Sequence, residues 1–208
     1  MDKNYWENYY KEQNTIQKPS LFARYVYEEV IQNHATLIEL GCGNGRDAVF
    51  FANNGLHIHA IDQCENEIKF LSHKFSQLDN CFFQVGDFTT LKDDKKFDVI
   101  YSRFTLHSVS IEQEKNVCHW AHQVLNENGV FCIEVRGQNN EIYGKGEAVT
   151  EEPNAFIYDN HYRRFLNFDD FTSRLKTIGF TLEYAEEKKG FSPFNGDDET
   201  FIRIIAKK

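Results

Sequence analysis

Glu39-Leu40-Gly41-Cys42-Gly43-Asn44-Gly45-Arg46-Asp47 decides how this chain is read. Ahead of it runs Ala35-Thr36-Leu37-Ile38-Glu39-Leu40, apolar and suited to a strand buried on both faces. Behind it, Ala48-Val49-Phe50-Phe51-Ala52 is apolar at helical spacing and stops at Asn53-Asn54-Gly55. Glycines between a strand and a helix let the backbone turn sharply and approach a ligand closely. The free amides of the helix's first turn then face that ligand.

The spacing separates two ligand classes. A dinucleotide fingerprint puts its third glycine at position 46; here position 46 is Arg46 and the third glycine is Gly45. Glu39 sits badly beside a pyrophosphate and well beside a cationic amine. The Glu-x-Gly-x-Gly-x-Gly arrangement resembles the first motif of class I S-adenosylmethionine (SAM) methyltransferases. That resemblance implies an α/β, Rossmann-like sheet of seven strands, mostly parallel with an antiparallel last strand and helices on both faces. It also implies S-adenosyl-L-methionine as cofactor and S-adenosyl-L-homocysteine (SAH) as product.

At 208 residues the chain suits one domain spanning 1–208. Its formal charge of −9 argues against affinity for nucleic acid or an anionic membrane. Nineteen Phe and ten Tyr point to bulky packing and an aromatic-walled site. Five cysteines, odd in number and without a Cys-x-x-Cys pair, read as reduced thiols of a cytoplasmic protein. The first residues lack the apolar run of a signal peptide, and no stretch reaches the length of a membrane span. A monomer or homodimer is expected.

Residues 1–33 read as an N-terminal helical arm. It holds Tyr5, Trp6, Tyr9 and Tyr10, then a second helix opened by Pro19-Ser20 with Phe22, Val26 and Val30 as its buried stripe. The resemblance implies that the arm closes over the cofactor; an arm that merely packs is the alternative. His57-Ile58-His59-Ala60-Ile61-Asp62 is the second strand, and its terminal acid is placed to accept the ribose hydroxyls. His57 and His59 share a face but lack a third ligand, so no metal is expected. Ile68, Leu71, Phe75 and Leu78 make a helical stripe before a third strand at 81–85. Gly86-Asp87-Phe88 resembles the element whose Asp bonds the adenine amino group while the backbone reads the ring. The resemblance thus assigns the cofactor to Glu39, Gly41, Gly43, Gly45, Asp62, Gln63, Asp87, Phe88 and Ser102.

The methyl acceptor is met, in this family, where the fourth strand (97–102) ends. The Asn-Pro-Pro-Tyr type of motif of enzymes that methylate exocyclic amines of DNA bases is missing there. Ser110-Ile111-Glu112-Gln113 forms a capping box for a helix with Val117, Ala121 and Val124 inside. A fifth strand follows at 129–135. Residues 136–166 show no clean period and read as an insert or lid over the acceptor site. Asn167 caps a helix bearing Phe168, Phe171, Leu175 and Ile178, stopped by Gly179. Segments 181–189 and 200–207 read as a hairpin-like strand pair at the sheet edge.

Arg103, Arg136, Lys145, Arg163 and Arg164, with Tyr143, are predicted to meet a small anionic acceptor at the carboxyl ends of the strands. The alternative pairs Arg163 and Arg164 with surface acids such as Glu151, Glu152 and Asp159. Glu-Val-Arg-Gly, Tyr-Gly-Lys-Gly-Glu and His-Tyr-Arg-Arg-Phe also resemble small bacterial methyltransferases of surface-polysaccharide gene clusters, some linked to O-methyl phosphoramidate capsule decoration. That implies O-methylation of a phosphate-bearing or nucleotide-linked metabolite; an N or carboxylate acceptor is the alternative. His107, then His161, is the candidate general base, alongside a histidine that only orients the loop. A non-catalytic SAM-binding regulator is the competing reading. A nicotinamide enzyme is disfavoured by the glycine spacing, and nucleic-acid methylation by the net charge.

Overall fold

A computed structural model describes residues 18–31, 35–92, 94–194 and 196–208. Tyr5, Trp6, Tyr9 and Tyr10, and with them most of the expected arm, lie outside the described residues.

Seven strands form the main sheet, in the order β3-β2-β1-β4-β5-β10-β9. They are β1 (Thr36–Leu40), β2 (His57–Asp62), β3 (Cys81–Val85), β4 (Phe97–Arg103), β5 (Leu125–Val135), β9 (Thr181–Lys188) and β10 (Phe201–Lys207). β1 through β5 pair in parallel, and β10 runs antiparallel to both its neighbours. The expected architecture holds. The last two strands are the expected antiparallel pair at the sheet edge, with β10 against β5 and β9 outermost.

The helices are α1 (Leu21–Tyr25), continued as a π-helical turn over Val26–Val30, then α2 (Arg46–Asn53), α3 (Glu65–Lys74), α4 (Ile111–Val124) and α5 (Phe168–Ile178). Local chemistry sets their ends. The Ser110 and Gln113 side chains cap each other's backbone amides. The Asn167 side chain accepts from the Asp170 amide, and Gly179 leaves α5 at φ 119°. Phe75 and Leu78, read as helical, fall in the turn beyond α3.

Alternation along the strands sends residues to two cores. Ile38, Leu40, Ile100, Phe131 and Ile133 face α4 and α5. Leu37, Ile58, Tyr101, Cys132 and Ile205 face Phe22, Val26 and Phe51 of α1, its continuation and α2. Truncating Phe51 or Phe131, both fully buried, to alanine would cost about 3–5 kcal/mol.

The aperiodic 136–166 segment carries a second, antiparallel sheet of β6 (Glu147–Ala148), β7 (Ala155–Tyr158) and β8 (His161–Arg164). The β7–β8 hairpin turns on Asp159 and Asn160, both at positive φ. β8 packs against the short turn Leu106–Ser108 that follows β4.

Candidate cofactor and acceptor site

β1 and β4 are neighbours whose connections leave in opposite directions, so a crevice opens at their carboxyl ends. Gly41 enters it at φ 73°, and a β-carbon there would sit 2.5 Å from the Thr105 methyl. Both the steric and the conformational argument therefore exclude a side chain. The Gly41 and Cys42 amides bond one carbonyl, that of Ile61, at 2.8 and 3.0 Å. Gly45 closes the turn at φ 72° and starts α2 against Leu71 and Phe83.

Three acids surround this turn in different states. Glu39 is 5% exposed, and its Oε2 has no hydrogen-bond partner among the described residues. Burial first, then the Asp47 charge, pushes its carboxyl well above the usual range, against the pull of Arg46 and Arg103. Asp62 is buried and accepts from the Gly43 and Cys64 amides, each at 2.9 Å. That occupies two of its roughly four lone-pair positions. Asp87 is exposed, with Oδ1 accepting from the Thr89 amide and hydroxyl at 2.9 and 2.7 Å. Gly41, Asp62, Gln63, Gly86, Asp87 and Phe88 line one cleft, and the buried Gln63 Nε2 lacks a partner too. A buried carboxyl oxygen and an amide, both without a partner among the described residues and beside a turn without side chains, fit a ligand with a cationic amine and a polar ring.

Residues 37–129 match a family described as "Methyltransferase domain". A SAM-dependent methyltransferase from Methanosarcina mazei superposes with a TM-score of 0.75, covering 88% of this chain and 96% of its own at 17% identity. Residues 37–129 are thus similar to a methyltransferase domain, and the chain shares the fold of that solved structure. A second solved structure is the 1,6-didemethyltoxoflavin-N1-methyltransferase of Burkholderia thailandensis, with bound 1,6-didemethyltoxoflavin and S-adenosylhomocysteine. Its TM-score is 0.74 at 17% identity, over 99% of this chain and 85% of that one. Among curated relatives, the phosphoethanolamine N-methyltransferase of Plasmodium falciparum is 24% identical over 105 residues, half of this chain. A putative methyltransferase of Invertebrate iridescent virus 6 is 19% identical over 167 residues, 79% of this chain. The chain spans 40% and 60% of the length of these two relatives.

At the far end of β4, the described side chains have these partners. Ser102 is fully buried and shares a 2.6 Å hydrogen bond with Thr105. It thereby positions the residue that crowds Gly41. The arginines are held inside the fold. Arg103 Nε donates to the buried Glu134 at 3.1 Å, and Arg203 donates to the same carboxylate at 2.6 and 3.0 Å. Arg136 pairs with Glu199 and donates to Asn140 at 2.8 Å. Arg164, 3% exposed, donates to Glu114 at 2.6 Å and to the Leu106 and Val109 carbonyls. Nε and Nη2 of Arg164 are thus both engaged by protein groups. Arg163 donates to the Tyr158 and His161 carbonyls of its own hairpin. Tyr143 bonds Asn154 and packs edge-on against Phe156 and Phe165, whereas Lys145 is exposed.

His107 is buried, and its Nδ1 accepts from the Arg136 amide at 3.2 Å. A backbone N–H can only donate, so the ring proton sits on Nε2. Burial first, then the charges of Arg136, His161, Arg163 and Arg164, hold the ring neutral by taking its pKa well below the usual value. In this geometry Nε2–H is the ring's hydrogen-bond donor. His161 is buried in β8, close enough to act on His107 electrostatically. Phe104 stands at φ 61° with Arg103 over one ring contact at 4.0 Å and Phe201 at 4.8 Å. Arg136 stacks on Phe201 in turn at 5.0 Å.

Sequence reasoning missed the Asp47 cluster. Asp47 sits in the first turn of α2, 3% exposed, and accepts from the Ser20 amide (2.7 Å), the Ser20 hydroxyl (2.8 Å) and the Tyr101 hydroxyl (2.9 Å). An acid directly after the glycine stretch, in the turn where carboxylates favour a helix dipole, was the available signal.

Proposed function

We propose that this protein transfers the methyl group of SAM to a small-molecule acceptor bound at the carboxyl ends of β4 and β5. The observation that carries this reading is the buried Glu39 oxygen, without a hydrogen-bond partner among the described residues, beside a glycine turn with no room for a side chain. Glu39, Asp62, Gln63 and Asp87 would hold the cofactor's amine, ribose and adenine, which bring a sulfonium whose methyl is open to in-line displacement. Phe104 and the Nε2–H of His107 would bound and orient the acceptor. Alignment alone is worth effective molarities of about 10⁵ M or more in such displacements.

The finer reading, O-methylation of a phosphate-bearing metabolite of surface-polysaccharide biosynthesis, is supported by the resemblance of the three basic motifs. The likeness to phosphoethanolamine N-methyltransferase supports a phosphate-bearing acceptor while favouring nitrogen. Neutralisation of Arg103, Arg136 and Arg164 by Glu134, Glu199 and Glu114 speaks against a multiply charged anion. We favour an acceptor with few charges. Incubation with methyl-labelled SAM and paired panels of neutral, phosphorylated and nucleotide-linked sugars and amines, read by mass spectrometry, tests it. Label in any of these pools supports the activity. No transfer by a folded, SAM-binding protein to any of them would favour a non-catalytic regulator.

A further inference from the structure

One carboxylate serves two arginines where β4, β5 and β10 meet. Glu134 is fully buried; its Oε1 accepts from Arg103 Nε at 3.1 Å, and its Oε2 accepts from Arg203 at 2.6 and 3.0 Å. Two other arginine clusters are balanced. Arg136 pairs with Glu199, and Arg164 and Arg174 stand between Glu114 and Glu152. Glu134 neutralises Arg103 only in part, because it also serves Arg203, and one positive charge is left over. The acids next in reach of Arg103 are otherwise engaged. Asp47 accepts three hydrogen bonds from Ser20 and Tyr101 and has Arg46 at 3.9 Å, and Glu39 is assigned above to the cofactor's amine.

The surplus charge belongs to Arg103. Arg203, buried, also donates to the Phe191 carbonyl at 3.1 Å and is enclosed by the Phe22, Tyr25 and Phe191 rings, 4.9, 5.1 and 4.1 Å away. Arg103 uses only one edge of its fork, with Nε on Glu134 and Nη2 on the Ser192 hydroxyl at 3.3 Å. The Ser192 hydroxyl gives its own hydrogen to Glu134 at 2.7 Å, so it accepts from Arg103 and fixes the fork. A guanidinium has five N–H donors. Neither hydrogen of Arg103 Nη1 meets an acceptor among the described residues, and the side chain is 16% exposed. The guanidinium lies over the Phe104 ring, 4.0 Å from its centre, so the open edge borders the acceptor crevice that Phe104 bounds.

A fork held on one edge and open on the other is suited to two-pronged capture of an oxyanion, with little side-chain freedom left to lose. Resting on the acceptor crevice proposed above, we propose that Arg103 sets acceptor specificity: its open edge takes a singly charged oxyanion of the acceptor, a carboxylate or a phosphate group with one negative charge. One surplus positive charge matches one negative charge. A second negative charge would lie uncompensated near the buried Glu134. The few-charged acceptor favoured above is thereby narrowed to a monoanion.

The test follows the fluorine NMR signal of trifluoroacetate, a singly charged oxyanion, titrated with the whole chain saturated with SAH. Saturable broadening is expected, reversed by acetate and by dimethyl phosphate, whereas uncharged trifluoroethanol should show none. Arg103→Met should weaken trifluoroacetate binding about tenfold or more, and Arg103→Lys should recover only part of the loss. Unchanged SAH affinity in both variants reports that fold and cofactor site persist. The comparison of charged and uncharged probes uses the parent protein, so it stands even if a variant fails to fold. No saturable binding of trifluoroacetate, equal binding of trifluoroethanol, or undiminished binding by folded Arg103→Met protein would overturn the assignment while leaving the SAM site intact. Binding to the cofactor-free chain that SAH abolishes would also overturn it, since Arg103 would then serve the cofactor's own carboxylate. Failure of SAH itself to bind would overturn the SAM reading and this inference together.

Discussion

Asp47 grips Ser20 through both the amide and the hydroxyl of that one residue, at 2.7 and 2.8 Å. Ser20 also caps α1, its hydroxyl accepting from the Ala23 amide at 2.9 Å. One side chain therefore fastens α1 to the helix that follows the glycine turn. Ser20→Ala should destabilise the protein by about 1 kcal/mol through the lost cap. It should also weaken SAH binding, while Ser20→Thr, which keeps the hydroxyl, recovers most of both. Thermal melts with and without SAH separate the two effects.

Asp87 caps a turn and is proposed to meet the cofactor, two parts that substitution can separate. Its Oδ1 caps the turn Phe88–Thr90, so Asp87→Ala should cost about 1 kcal/mol of stability as well as cofactor affinity. Asp87→Asn keeps an oxygen for the Thr89 amide and should spare stability while binding SAH less well. If both variants bind like the parent, Asp87 serves the turn alone.

His107 makes a pH prediction with a definite sign. Its folded pKa lies well below the unfolded value of about 6.5. Below that value the unfolded chain takes up a proton that the folded protein refuses, so stability falls with falling pH from about 6.5 down to the folded value. His107→Asn retains an acceptor for the Arg136 amide and removes the titration, so its stability should decline less over that window in urea melts. In the same variant kcat should drop without change in the shape of its pH profile. A selective loss recovered at high pH would instead restore His107 as the base.

Arg164 should report on stability before catalysis. Arg164→Met leaves Glu114, 1% exposed, with Arg174 at 3.1 Å as its remaining cation. Breaking a buried pair on one side costs about 3–5 kcal/mol. Denaturant unfolding should show a loss of this order; a near-neutral change together with a raised acceptor KM would return Arg164 to the acceptor.

What the sequence reveals here is what is local. Caps at Ser110 and Asn167, the stop at Gly179 and the strand–glycine–helix turn depend on residues within a few positions of each other. The insertion of β10 between β5 and β9 is a long-range pairing choice that no alternation pattern encodes. β6 to β8 escape notice because strands of two to four residues show no period, although Asp159-Asn160 between Phe156-Ile157-Tyr158 and His161-Tyr162 is hairpin chemistry. Glu39, Asp62 and Asp87 could be placed from sequence at or beside the carboxyl ends of β1, β2 and β3 because each stands next to a strand's apolar run. The partners of the arginines, Glu114 for Arg164 and Glu134 for Arg103, were not legible because they lie tens of residues away.

The cofactor cleft is tested most directly by titrating the whole chain with SAH in a calorimeter, beside the Asp62→Asn variant. Saturable binding at one site per chain is expected, weakened about tenfold by Asp62→Asn as charged hydrogen bonds to the ribose become neutral ones. A folded parent protein that shows no saturable binding, or an Asp62→Asn variant that binds with unchanged affinity, would overturn the assignment of this cleft to SAM.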